Sequence, residues 1–220
     1  MSDATRDEDL SSPFLAERPS FASPRVPSRR RFLGMAALGL GVGGLSAMPI
    51  LSVAAPSRDF GRVLIAYYSR TGTARAVAEG IRTVVPGDLF ELKTSHTYPA
   101  AYRPTTDQAK REQEQNFRPK LVADVADIDG YDTVFLGFPN WWSTMPMAFF
   151  TFLETHRLAG KTVVPFCTHE GSYLGGSVAD IRRLCPQARL LEGIALRGGE
   201  GGYAKSEAAR REVSSWLRRL

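Results

Sequence analysis

Between Val63 and Ala78 the chain passes from an unbroken apolar run, Val63-Leu64-Ile65-Ala66-Tyr67-Tyr68, through Ser69-Arg70-Thr71-Gly72-Thr73-Ala74 into a helical pattern. A run without polar alternation marks a parallel strand buried on both faces. Such a strand needs helices above and below it, which confines the chain to α/β architectures. The turn has a chemistry of its own. The helix that follows presents unpaired backbone N–H groups and the positive end of its dipole, an arrangement that receives an anionic phosphate. Ser69, Thr71 and Thr73 add hydroxyls, and Gly72 admits close backbone approach.

The rest of the chain repeats the alternation. A helix is predicted over about 73–84, closed by Val85-Pro86-Gly87-Asp88, and a short strand over Leu89-Phe90-Glu91-Leu92. Thr105-Thr106-Asp107-Gln108 reads as a capping box, Thr105 as N-cap and Gln108 reaching back, opening a surface-exposed helix to about Gln115. Thr133 to Gly137 is a central strand ended by Pro139, and a third helix starts near Met147. Lys161 to Cys167 is the next strand, 177–184 a helix, Ala188 to Arg197 the last strand and Ser206 to Leu220 the closing helix. Right-handed crossovers turn this order into a doubly wound parallel sheet with helices on both faces.

The segment before this domain reads differently. Met1 to Pro27 is polar and rich in Pro and Ser, which favours disorder. Ser28-Arg29-Arg30-Arg31-Phe32-Leu33 resembles the twin-arginine export signal. Gly34 to Ala55 follows without charge, and Ser52-Val53-Ala54 offers small residues for cleavage after Ala54. The expectation is therefore residues 1–54 as a disordered region and signal, 55–220 as one domain, and a periplasmic or extracellular location reached through the twin-arginine translocase. An uncleaved membrane anchor is the alternative, since the uncharged run is long enough to span a bilayer. Five glycines and Pro49 weaken it.

Six of the 28 basic and five of the 23 acidic residues precede the cut, leaving a net charge of +4. With no basic block interleaved with aromatics, nucleic-acid binding is not indicated. Cys167 and Cys185 are placed at the ends of buried elements as small hydrophobes. Only three histidines exist, none clustered with cysteine at metal-ligand spacing, which argues against zinc.

Ligands of doubly wound sheets sit beyond the carboxyl ends of the strands, where strand order reverses. Three loops are thereby singled out: Ser69 to Ala74, Phe138 to Pro146 and Thr168 to Gly176. The second holds Pro139, Asn140, Trp141, Trp142 and Ser143; adjacent loop side chains rarely both face a core, so one tryptophan ring is available to a planar ligand. The competing reading has both rings capping the sheet end. The third holds Thr168, His169, Glu170, Gly171 and Ser172, whose exposed backbone donors suit a flavin or pterin better than a sugar. His169 and Glu170 are either proton donors or ordinary polar contacts.

These residues bear a family likeness. Ser69, Thr71 and Gly72 match the phosphate pattern of flavodoxins, Thr/Ser-any-Thr-Gly-any-Thr. Gly137 to Met147 and Pro165 to Ser172 are similar to segments of bacterial flavodoxin-like proteins. The resemblance spans about Arg62 to Leu220. It implies a flavodoxin-like, five-stranded sheet of order 2-1-3-4-5 and FMN as cofactor. Ser69, Arg70, Thr71, Gly72, Thr73 and Ala74 would then hold the phosphate, with the ring between Pro139–Ser143 and Thr168–Ser172. Ala74 departs from the pattern, which has Thr there; Arg70 or Arg75 is expected to offset the phosphate charge. The implied function is an exported redox protein moving electrons through FMN, as a carrier or a quinone-type reductase. Its donor and acceptor, a protein or a quinone-like molecule, are unknown, as is its oligomeric state. A non-catalytic protein binding FMN or another phosphate ligand is the alternative.

Overall fold

The computed structural model describes residues 58–199 and 202–220. The polar start, the arginine motif, the uncharged run and the cut after Ala54 lie outside the described residues. Among the described residues no helix is long and apolar enough to cross a membrane.

The strands are β1 (Val63–Tyr67), β2 (Asp88–Glu91), β3 (Thr133–Pro139), β4 (Thr162–His169), β5 (Arg189–Leu190) and β6 (Ile194–Arg197). All pairings are parallel, in the order β2-β1-β3-β4-β5, with β6 also on β4. Five helices alternate with them: α1 (Thr73–Val84), α2 (Tyr102–Glu114), α3 (Met147–His156), α4 (Ser177–Leu184) and α5 (Glu207–Leu217). Successive residues of β1 point to opposite faces, so Val63, Ile65 and Tyr67 join one core while Leu64, Ala66 and Tyr68 join the other. The first core lies under α1 and α5, the second under α3 and α4. In α1, burial falls on Thr73, Ala74, Val77, Ala78 and Ile81, a stripe at helical spacing.

Two elements depart from the sequence expectation. The last strand is not continuous from Ala188 to Arg197 but broken between Leu190 and Ile194. Leu191 N–H donates to Val163 O at 2.9 Å, so alternate residues of β4 turn their backbone groups to that neighbour. Two residues on is Pro165, which has no N–H to offer, and the ladder lapses there. Helix α2 begins at Tyr102 rather than after Thr105, with Ala101 as N-cap. Pro104 sits in its first turn, where no N–H has an intrahelical acceptor in any case. The Thr105 hydroxyl donates back to Pro99 O and Ala101 O, and Gln108 reaches forward to Glu112 at 2.9 Å. There is thus no capping box. Nor is α2 wholly exposed, since Thr105, Ala109 and Glu112 form a buried edge.

Strand order reverses between β1 and β3, whose following helices cover opposite faces of the sheet. Their carboxyl ends bound the crevice of a doubly wound fold.

Candidate functional site

The first loop leaves β1 at Tyr67 and enters α1 through Gly72, whose φ of +77° is the left-handed region that side chains disfavour. No backbone N–H from Arg70 to Ala74 donates to another described residue. The first used donors beyond them are Arg75 N–H, to Ser69 Oγ at 3.2 Å, and Ala76 N–H, to Gly72 O at 3.0 Å. Thr71 and Thr73 hydroxyls lie 3.0 Å apart. Ala74 turns its methyl into the core. Of the two arginines, Arg75 is held by Glu91 with both carboxylate oxygens at 2.6 and 2.7 Å. Arg70 donates to Ala100 O at 2.9 Å. A cation that sequence reasoning missed touches the loop backbone: Lys205 Nζ donates to Thr71 O at 3.1 Å.

The second and third loops are clamped to one another. Pro139 is in register with Thr168, Asn140 N–H donates to Thr168 O at 2.8 Å, and Asn140 Nδ2 donates to Tyr173 O at 2.7 Å. Gly176 N–H donates to Ser143 O at 2.6 Å. Neighbouring Gly175 has φ +53°, and a Cβ there would lie 2.4 Å from Ser143 O, so closure requires glycine. Asn140 Oδ1 is buried with no hydrogen-bond partner, an uncommon state for a buried acceptor.

Trp142 and Ser143 are the central residues of a two-residue hairpin, closed by reciprocal bonds between Trp141 and Thr144 at 2.8 and 3.1 Å. Both have positive φ, 50° and 67°, as a type I′ turn requires. The turn sends the two tryptophans apart. Trp141 packs edge-on against Tyr68 and Tyr98, with centroids 5.6 and 5.1 Å away. Trp142 is 47 % exposed; its indole N–H donates to Thr106 O at 2.8 Å, and Lys110 Nζ lies 5.2 Å from its ring centre.

In the third loop Thr168 and His169 are buried, while Glu170, Gly171 and Ser172 are exposed. His169 Nδ1 accepts from Gly171 N–H at 2.9 Å, which puts the proton of the neutral ring on Nε2. Burial, and then the charge of Arg197, hold its pKa below the ordinary value, while Glu170 acts the other way. The Tyr173 ring lies 4.6 Å from the imidazole. Glu170 is beside the glycine turn after β6, where a Cβ on Gly199 would meet its Oε1 at 2.6 Å. Cys167 Sγ is placed to donate to Tyr173 O at 3.1 Å, and burial pushes its thiol up to about 12. A separate open groove of about 610 Å³ lies between residues 95–97, α2 and residues 117–120, and none of the three loops lines it. At its base Glu112 accepts from Gln108, lies 3.0 Å from His96 Nε2 and takes the Tyr98 hydroxyl proton donor.

Comparison with known proteins fits this geometry. The sequence model of a family described as Flavodoxin matches residues 62–218, most of the chain. The chain belongs to the flavodoxin family. Among solved structures, a Bacteroides eggerthii protein described as a flavoprotein is 30% identical over 72% of this chain and 98% of its own, with a TM-score of 0.59. A Bacteroides uniformis counterpart is 29% identical over 72% and 99%, with a TM-score of 0.61. A Lactobacillus acidophilus flavoprotein, solved in complex with FMN, is 25% identical over 61% and 92%, with a TM-score of 0.55. No curated protein matches the chain. In this flavodoxin-family domain the three loops named from sequence follow the carboxyl ends of the adjacent parallel strands β1, β3 and β4, and the second and third bond to each other. What sequence reasoning missed is a fourth loop, seen from Gly202 to Lys205, which brings Lys205. Its sequence signal was the cluster Gly198-Gly199-Glu200-Gly201-Gly202 directly after the last strand.

Proposed function

We propose that this domain binds FMN noncovalently and passes electrons through it, as a carrier or as a reductase of quinone-like molecules. The observation that carries the reading is the run of backbone N–H groups from Arg70 to Ala74, unused among the described residues and set at the strand-order reversal. Ser69 to Ala74 hold the phosphate; Pro139 to Ser143 and Thr168 to Ser172 flank the ring. The donor set fits the cofactor. Amides and hydroxyls suit the phosphate, and the unpaired Asn140 Oδ1 is an acceptor that a heterocyclic N–H can satisfy. Ala74 removes a hydroxyl but leaves its N–H, which weakens the phosphate shell without abolishing it.

FMN, when bound, supplies electron transfer in one or two steps. The chain's part is to fix the phosphate, hold the ring edge between two clamped loops and limit water there. A net charge of +4 on residues 55–220 suits an acidic protein partner or a quinone-like small molecule. The same proposal places the protein outside the cytoplasm, carried folded with its flavin by the twin-arginine translocase. Arg29→Lys with Arg30→Lys should leave it in the cytoplasm; export unchanged by that pair would refute this part.

The deciding experiment is an absorbance spectrum of purified protein mixed with FMN and then desalted. Retained yellow flavin is expected; a folded chain that retains none overturns the reading. Anaerobic titration then sorts the functions. Reduction in two spectral stages favours the carrier, and rapid two-electron oxidation of a nicotinamide favours the reductase. Bound flavin that accepts no electrons leaves the non-catalytic binder, which Ala74 favours.

A further inference from the structure

Lys205 lies 134 residues beyond the phosphate loop it touches. Its Nζ donates to Thr71 O at 3.1 Å, and a Cβ on Gly72 would lie only 3.8 Å from it. The backbone beneath it is fixed rather than loose. Tyr203–Lys205 is one turn of 3-10 helix entered through Gly202 at φ +65°. Lys205 N–H donates to Gly202 O at 2.8 Å and Ser206 N–H to Tyr203 O at 2.7 Å. Ala204, between them, is buried in the core under α1 and α5. Ser206 then caps α5, accepting from Ala209 N–H at 3.2 Å, and the Tyr203 hydroxyl donates to Glu212 at 2.7 Å.

Among the described residues the charge on Lys205 is also without a carboxylate partner. Arg75 is paired with Glu91, whereas Arg70, also without a carboxylate partner among the described residues, turns to Ala100 O, outside the 69–74 loop. Among the described residues no carboxylate lies within 4.0 Å of Lys205 Nζ. An ammonium has three donors, and Thr71 O takes one. The rest stand beside the unused N–H groups of Arg70 to Ala74. A phosphate monoester carries about −1.5 to −2 charges at neutral pH, and dipole ends alone balance only about half a charge.

We infer that Lys205 is the counter-charge of the bound phosphate monoester, standing in for the hydroxyl absent at Ala74, and that it sets the preference for FMN over riboflavin. The inference rests on the FMN reading above. A neutral flavin gives Lys205 nothing to pair with, whereas the monoester dianion meets the ammonium and the amide cluster together. Reaching across from the opposite end of the chain, the lysine also ties the fourth loop to the first when phosphate is present.

The test is a pair of full-length variants, Lys205→Met and Lys205→Arg, titrated with FMN and with riboflavin by flavin fluorescence. Lys205→Met should raise the FMN Kd about tenfold and leave the riboflavin Kd within about twofold. Lys205→Arg should restore most of the FMN affinity. Added salt should weaken FMN binding less in Lys205→Met than in the wild type. An FMN-to-riboflavin ratio unchanged in Lys205→Met, or equal loss for both ligands, overturns the inference. If the wild type prefers FMN, loses that preference on Thr71→Val but keeps it on Lys205→Met, only the role of Lys205 fails. If the folded wild type binds neither flavin, the FMN reading fails and this inference with it.

Discussion

The proposed phosphate loop and the proposed ring loops follow the carboxyl ends of neighbouring strands yet are held differently. Ser69 to Ala74 leaves its backbone donors free, with Gly72 in open surroundings. Residues 139–143 and 168–176 are instead tied across to each other, through Asn140, Ser143 O and Gly176, although Trp142, Ser143, Glu170 and Ser172 to Leu174 keep N–H groups without an acceptor among the described residues and Asn140 Oδ1 is unpaired. The contrast separates two tasks. An anion needs donors kept waiting, because a donor already paired is costly to release. A planar ring needs rigid walls, which loops bonded across to one another supply.

The sharpest way to break this comparison is the tryptophan pair. Trp141→Ala removes a ring packed on Tyr68 and Tyr98 and should cost about 3 kcal/mol in urea unfolding. Trp142→Ala, at an exposed turn, should cost below about 1 kcal/mol. Equal losses would end the division between an inward and an outward ring.

Next come two glycines, one from each region. Gly175→Ala meets Ser143 O at 2.4 Å as well as an unfavourable φ, and should cost about 2 kcal/mol. Gly72→Ala has φ +77° but no contact nearer than 3.8 Å, so the backbone term alone, about 1 kcal/mol, is expected. Thermal melts of both variants check this; a larger loss at Gly72 would contradict the open loop.

A change of similar size should appear in binding when Thr71 becomes Val. FMN should weaken about fivefold and riboflavin hardly at all, since one hydroxyl contact with a charged group is lost. Matched losses in a fluorescence titration would remove the phosphate from this loop.

The smallest effect is on pH dependence. His169 resists protonation in the fold, chiefly through burial. Below about pH 6.5 the unfolded chain takes up a proton that the folded chain does not. Stability is therefore full above that pH and declines as pH falls through it. The urea midpoint of His169→Gln should fall less than that of the wild type between about pH 7.5 and 5.5. A steeper fall in the variant would reverse the assignment.

Much of the scaffold was legible because it depends on local pattern. The apolar run at Val63, the helical stripe from Thr73 to Ile81 and the helix over 177–184 each show their period within a few residues. The start of α2 was not legible, since Thr105 to Gln108 imitates a capping box, while Pro104 is tolerated in the first turn of a helix that begins at Tyr102. The break in the last strand was hidden because its cause, Pro165, lies in a different strand. The candidate loops could be located from topology, but the directions of Trp141 and Trp142 depend on two positive φ angles in an Asn-Trp-Trp-Ser sequence with no glycine to announce them. Lys205 was out of reach for the same reason: only the fold brings residue 205 to residue 71.

The thiol of Cys167 lies beside the candidate ring loops and offers a clock for their opening. Only a thiolate is alkylated at an appreciable rate, and with Cys167 1% exposed and burial pushing its thiol up to about 12, its labelling is expected to require an opening that uncovers it. Cys185, at the end of α4, is 2% exposed and pushed up to about 11. One chain therefore holds a reporter beside the ring loops and an internal reference away from them. The ratio of their labelling rates is expected to report opening at that edge without any engineered cysteine.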